Sequence, residues 1–194
     1  MAVSAILAAM LALAQPPPPV QQPPANAQQA LARARVAAFR AFAEPYVGEW
    51  SCAIEEYDES GKVVWSDTQR RVFAFSMSRH FLEERAFLKR PDGTEYEGGL
   101  HLTTWDPASD RIVQHGFWLP RQPDPLFRIE GLAEGSDFSG TMTLREENGS
   151  VVRRGLKMRW HAPDRWILDA VGTRADGGSF VKERLIYTRV RTPA

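Results

Sequence analysis

From Val47 to Val190 apolar and polar residues alternate with a period of two, and Gly, Asp, Asn or Pro breaks the alternation roughly every dozen residues. Successive side chains of a strand point to opposite faces, so the pattern marks strands with one apolar face and excludes a helical domain over this stretch. The expected strands cover 47–57, 62–76, 79–89, 94–105, 110–119, 126–134, 137–146, 150–161, 165–174 and 179–190. About ten twisted antiparallel strands with one apolar face bury that face best by closing on themselves, which also removes the edges. The expected fold is all-β, an antiparallel up-and-down barrel of about ten strands with a helix before it. A two-sheet sandwich is the alternative.

Turn chemistry sets which residues share a face, because loop length fixes hairpin register. Pro91-Asp92-Gly93 suits a three-residue loop closed by a left-handed Gly, placing Leu82 opposite Leu102 and Ala86 opposite Gly98. Gly135-Ser136 suits a type II′ turn, placing Ile129 opposite Met142 and Phe127 opposite Leu144. A two-residue turn at Asn148-Gly149 would set Leu144 against Arg153. The three-residue loop Glu147-Asn148-Gly149 pairs Leu144 with Val152 and Gly140 with Leu156 instead, and is preferred. The inward face then collects Trp50, Cys52, Ile54, Leu82, Ala86, Leu88, Leu100, Leu102, Ile112, Trp118, Phe127, Ile129, Phe138, Met142, Leu144, Val152, Leu156, Met158 and Trp160. Gly98, Gly116, Gly131 and Gly140 share that parity, where missing side chains either leave interior volume or mark strand bends.

Ahead of the strands, Asn26 is a candidate N-cap for a helix over 27–44, stopped by Pro45. Its stripe of Leu31, Ala38 and Phe42 suits docking on the barrel or plugging one end. Gln15 to Pro24 (QPPPPVQQPP) gives a stiff linker over 15–26. Residues 1–14 (MAVSAILAAMLALA) are apolar, too short to span a bilayer, and end in Ala-Leu-Ala, the pattern of a signal peptide cleaved before Gln15. The protein is therefore expected to be periplasmic or secreted, without membrane insertion after cleavage, its barrel domain covering 45–194. Cys52 is the single cysteine, so no internal disulfide forms and packing must hold the fold. Lys+Arg and Asp+Glu each total 24, which leaves no basic footprint for nucleic acid.

Gly48-Glu49-Trp50 at the first strand, after a short helical lead, resembles the opening of lipocalins and other calycins. In those barrels a Trp plugs the closed end and an Arg from the last strand lies over it. The resemblance implies the same closure here, by Gly48, Trp50 and Arg189 in "LIYTRV", or Arg184. With "RHFLEE", "YEGGLHLTTWDPASDRI" and the terminal "YTRV", the stretch 45–190 is similar to a bacterial lipocalin-like family of unknown function. That similarity implies a closed barrel, and its apolar interior leads to the expectation of a small hydrophobic ligand.

Among the inward positions stand four polar residues, Glu84, Tyr96, Gln114 and Arg154, with Arg70 placed opposite Glu84. A buried charge must be paired, so Arg154 meets a carboxylate, with Glu84 the internal candidate, or water, or an anionic ligand. The expected ligand is mostly apolar and anionic, held by Arg154, Tyr96, Gln114, Glu84 and Arg70, with no cofactor required. One alternative is a metal. If Pro107-Ala108-Ser109 forms a three-residue turn, His101 faces His115 with Glu83 beside it, a set that suits Zn²⁺ or non-haem Fe²⁺, and a single His also suits haem. By the face assignment that row points outward. Hydrolase and phosphate-loop motifs are absent, and a carboxylate with an Arg also suits isomerase or cyclase chemistry without identifying it. A purely structural interaction domain is the remaining alternative.

Overall fold

The computed structural model describes residues 25–118, 126–145 and 149–191. The expected signal peptide and residues 15–24 of the linker lie outside the described residues. The chain divides after Leu31 into two compact units. In the first, the described residues open helix α1 (Ala25–Ala43), where the Asn26 side-chain oxygen accepts from the backbone N–H of Ala27. The helix thus starts two residues earlier than the expected 27, with Asn26 inside its first turn rather than before it.

The second unit holds the rest of α1, a 3-10 turn (Glu44–Tyr46) with Pro45 in it, and ten strands. These are β1 (Gly48–Tyr57), β2 (Val63–Ser76), β3 (Phe81–Lys89), β4 (Glu95–Asp106), β5 (Arg111–Trp118), β6 (Phe127–Glu134), β7 (Asp137–Arg145), β8 (Val151–Ala162), β9 (Arg165–Thr173) and β10 (Ser179–Arg189). Each pairs antiparallel with its neighbours in sequence, and β1 pairs with β10 to close the barrel. The up-and-down barrel is therefore the fold, and the sandwich is excluded.

Two hairpins carry the register read from their turns, and a third carries it only next to its turn. Ile129 lies opposite Met142 and Phe127 opposite Leu144, with Gly135 at φ +65° in the turn. Leu144 lies opposite Val152 and Gly140 opposite Leu156. The β3–β4 hairpin begins as expected, with Leu88 opposite Tyr96 and Lys89 opposite Glu95, and then slips. A bulge leaves Gly98 unpaired, so Ala86 meets Gly99 and Leu82 meets Thr103, not Gly98 and Leu102. One unpaired residue reverses every later side chain on its strand. Leu100 and Leu102 turn outward, and His101 and Thr103 take their places inside. A side chain at Gly98 would put a Cβ 2.1 Å from Leu88 Cδ1, so the bulge settles where no side chain exists.

The inward glycines do not open space. A Cβ on Gly116 would lie 2.1 Å from the Phe127 ring, and one on Gly131 would lie 2.4 Å from the Phe138 ring. Two phenylalanines sit over glycines, and the curvature of the wall comes with them.

One end of the barrel is shut by aromatic packing. Phe39, Phe42 and Ala43 of α1 are buried there with Tyr46, Trp50, Phe73, Phe138 and Trp166. Trp50 is wholly buried and donates its indole N–H to the Tyr46 carbonyl at 2.7 Å. Trp160 donates to the Tyr46 hydroxyl at 3.0 Å, and that hydroxyl donates to the Ser136 carbonyl at 2.9 Å. Arg189 lies over the Trp50 ring at 4.2 Å and donates to the carbonyls of Val47 and Pro45. Gly48 holds φ +130°, and a Cβ there would come within 2.8 Å of Arg189 Nη1. Arg184 faces the other way and pairs with Asp169 at 2.7 Å, so Arg189 is the closing cation.

Candidate functional site

Above that floor the barrel encloses a cavity of about 340 Å³. Its β5–β9 side is apolar, with Ile112, Ile129, Phe138, Met142, Leu156 and Met158. Its β2–β4 side is polar, with Gln69, Arg71, Glu84, His101 and Thr103. The volume sits at the low end of the roughly 300–1,000 Å³ of small-molecule sites.

Glu84 is the hub of the polar side. Arg71 Nη1 donates to one carboxylate oxygen at 2.8 Å and the Tyr187 hydroxyl to the same oxygen at 3.3 Å. His101 Nδ1 meets the other oxygen at 2.8 Å, and Arg71 Nη2 donates to Gln69 at 2.7 Å. Burial by itself would raise the Glu84 pKa. The charges of His101 and Arg71, with the hydrogen bonds from His101 and Tyr187, outweigh it and hold the carboxyl at about 2. With Glu84 ionised, the His101 Nδ1 proton is the one shared between them. Burial also pushes the Cys52 thiol up to about 12, so it is a packed neutral group and not a nucleophile. Tyr187 is raised for the same reason and stacks on Trp166 at 3.6 Å.

At the other end of the cavity, toward the loops after β1, β3 and β9, the lining becomes charged again. Arg154 lines it, and its ion-pair partner among the described residues is Glu183 at 3.7 Å, longer than a hydrogen bond. Burial raises the Glu183 pKa against the lowering effect of Arg154. Gln114 lines the wall and donates to Thr103 at 3.0 Å.

Of the residues singled out from sequence, Glu84, Gln114 and Arg154 line the cavity, but Arg154 pairs with Glu183 rather than Glu84. Arg70 faces outward, opposite Ser51 and Phe87, and pairs with Glu95 at 2.8 Å. The cation that reaches Glu84 is its neighbour, Arg71. That parity was readable, since Arg71 alternates in step with Phe73 and Phe75. Tyr96 lies in the β3–β4 hairpin beside Arg90, outside the cavity lining. Glu83, His101 and His115 do not assemble: β4 and β5 join through a four-residue turn at 107–110, so His101 lies opposite Gly116 and inside, while His115 lies opposite Leu102. Glu83 also lies opposite Leu102. Among the described residues no group of three His, Cys, Asp or Glu side chains is placed to hold a metal. Trp65, Tyr187, Glu56 and Glu183 also line the cavity and were not singled out; Tyr187 and Glu183 share the inward parity of Arg189.

No family model matches the chain, and no curated protein matches it. Among solved structures, it is similar to a redesigned beta barrel at 14% identity, covering 78% of this chain and 96% of that one, with a TM-score of 0.38. It is also similar to Rv2717c from M. tuberculosis at 13% identity, covering 81% of this chain and 98% of that one, with a TM-score of 0.42.

Proposed function

We propose that the barrel binds a small, mostly apolar molecule bearing an anionic group, its apolar body in the cavity and its anionic group at Arg154. The observation that carries this reading is the cavity itself: about 340 Å³, one wall apolar, and an arginine in its lining whose ion pair among the described residues is a long one. A carboxylate within hydrogen-bonding distance of Arg154 is a better partner than Glu183 at 3.7 Å. Closure by Trp50 under Arg189, as in calycins, supports a carrier of that type. The outward positions of β8 bear Arg153, Lys157 and Arg159, all exposed, the reverse of a barrel that faces lipid. The apolar segment 1–14 supports export to the periplasm or beyond.

Calorimetric titration with decanoate and with decanol tests the reading. Decanoate binds with a stoichiometry of one, and Arg154→Met weakens it about tenfold while leaving decanol unchanged. Failure of both probes to saturate the protein ends the carrier reading.

A further inference from the structure

The open end of the cavity holds a second feature that an anionic ligand does not explain. Glu56 on β1 lies directly opposite Glu183 on β10, and both line the cavity. On the other side of β1, Glu56 lies directly opposite Trp65 of β2, which also lines the cavity and is 47% exposed. Beyond Glu183 the row continues across Ala170 of β9 to Leu156 of β8, and Arg154, two residues from Leu156 on the same strand, comes within 3.7 Å of Glu183. Strand register therefore sets an indole and two carboxylates side by side along one rim of the cavity, and the Arg154 guanidinium approaches that row at Glu183.

Two carboxylates directly opposed on adjacent strands repel each other, and a sheet normally avoids the pairing. Among the described residues the ion-pair partner of Glu183 is Arg154, and it sits 3.7 Å away. Glu56 makes no ion pair or side-chain hydrogen bond with any described residue. The formal charge of the row is −1, from two carboxylates and one guanidinium. An anion alone would bring it to −2, whereas a cation beside Glu56 relieves the repulsion. Trp65 lines the same rim beside Glu56, and an aromatic ring next to a carboxylate is a usual surrounding of an ammonium group.

We propose that the ligand's head group is zwitterionic, its ammonium held between Trp65, Glu56 and Glu183 and its anionic oxygen on Arg154. This rests on the carrier reading above and deepens it: the cavity takes an amphiphile with an apolar chain inside and a paired cation and anion at the rim. Burial holds the Glu183 pKa above its ordinary value, which further eases its pairing with Glu56. A compact head that carries both charges satisfies all four side chains at once. A fatty acid satisfies only Arg154.

The test compares four probes with one chain length, below their micelle concentrations: decylphosphocholine, decanoate, decyltrimethylammonium and decanol. Decylphosphocholine binds the unmodified protein about tenfold more tightly than decanoate. Glu56→Gln lowers the affinity for decylphosphocholine and decyltrimethylammonium about tenfold and raises that for decanoate. Arg154→Met lowers decylphosphocholine and decanoate and spares decyltrimethylammonium. Decanoate binding as tightly as decylphosphocholine, or Glu56→Gln leaving the two cationic probes unchanged, overturns the zwitterion while the carrier stands. Binding of none of the four overturns both. The probe comparison on the unmodified protein decides the matter even where a variant does not fold.

Discussion

The two ends of the barrel are built from the same ten strands and the same alternation, yet they pair their charged groups differently. At the closed end Trp50 and Trp160 donate to Tyr46 and Tyr46 donates to Ser136, while the Trp166 indole N–H is buried without a hydrogen-bond partner among the described residues. One layer up, Arg71 and Glu84 form a buried pair at 2.8 Å, joined by His101, Gln69 and Tyr187, with Arg71 Nε left without a hydrogen-bond partner among the described residues. At the open end Glu56 faces Glu183, the Arg154 pair is stretched to 3.7 Å, and Trp65 is half exposed. A fold built for stability satisfies its buried charges internally. Charges left under-satisfied beside a cavity mark the place where something else is meant to satisfy them. The comparison locates the internally packed part of this protein at one end and the proposed ligand site at the other.

Substitutions at the two ends should separate on that line. Trp50→Ala removes the largest wholly buried side chain, strips Arg189 of its ring, and is expected to cost about 3–5 kcal/mol in urea unfolding. A loss below about 1 kcal/mol would show that the closed end does not hold the fold. Glu84→Gln leaves Arg71 charged and buried without its counterion, with an expected loss of about 3 kcal/mol. Its pH dependence is the sharper readout. The folded pKa of Glu84 is depressed to about 2 from its ordinary value of 4.5. The stability it contributes is therefore fully present above pH 4.5 and is lost as pH falls toward 2. The Gln variant should lack that acid-sensitive component when unfolding is followed across the same window.

Gly48→Ala is expected to cost about 1–2 kcal/mol, because alanine at φ +130° is strained and its Cβ displaces the Arg189 guanidinium. Retained stability with the Trp50 fluorescence unchanged would remove Gly48 from the closure. Smallest in stability is Arg154→Met at the open end, expected below about 1 kcal/mol, since a long and partly exposed ion pair contributes little. A large loss there would erase the distinction between the two ends and make Arg154 a structural residue.

Much of the fold was legible in the chain. Ten runs of period two gave ten strands, and the turns at Gly135-Ser136 and Gly149 gave correct registers because local backbone chemistry sets the pairing next to a turn. The Trp50 and Arg189 closure was legible through a motif at each end of the barrel stretch. The site was less legible. Arg154, Glu84 and Gln114 were found by inward parity, but the parity of β4 failed at Gly98 and that of β2 was set one residue off, which hid His101 and Arg71. The closure of the barrel, which brings β1 beside β10 and β2, is what places Glu56 against Glu183 and Trp65.

The sequence by itself determined the number of strands, their antiparallel succession and the apolar interior, since alternation and turn residues act over a few positions. Only the tertiary structure decided which face His101 takes and which charges meet at the rim. A bulge is one residue long and answers to packing rather than to pattern, and residues far apart in the chain become neighbours only when the sheet shuts.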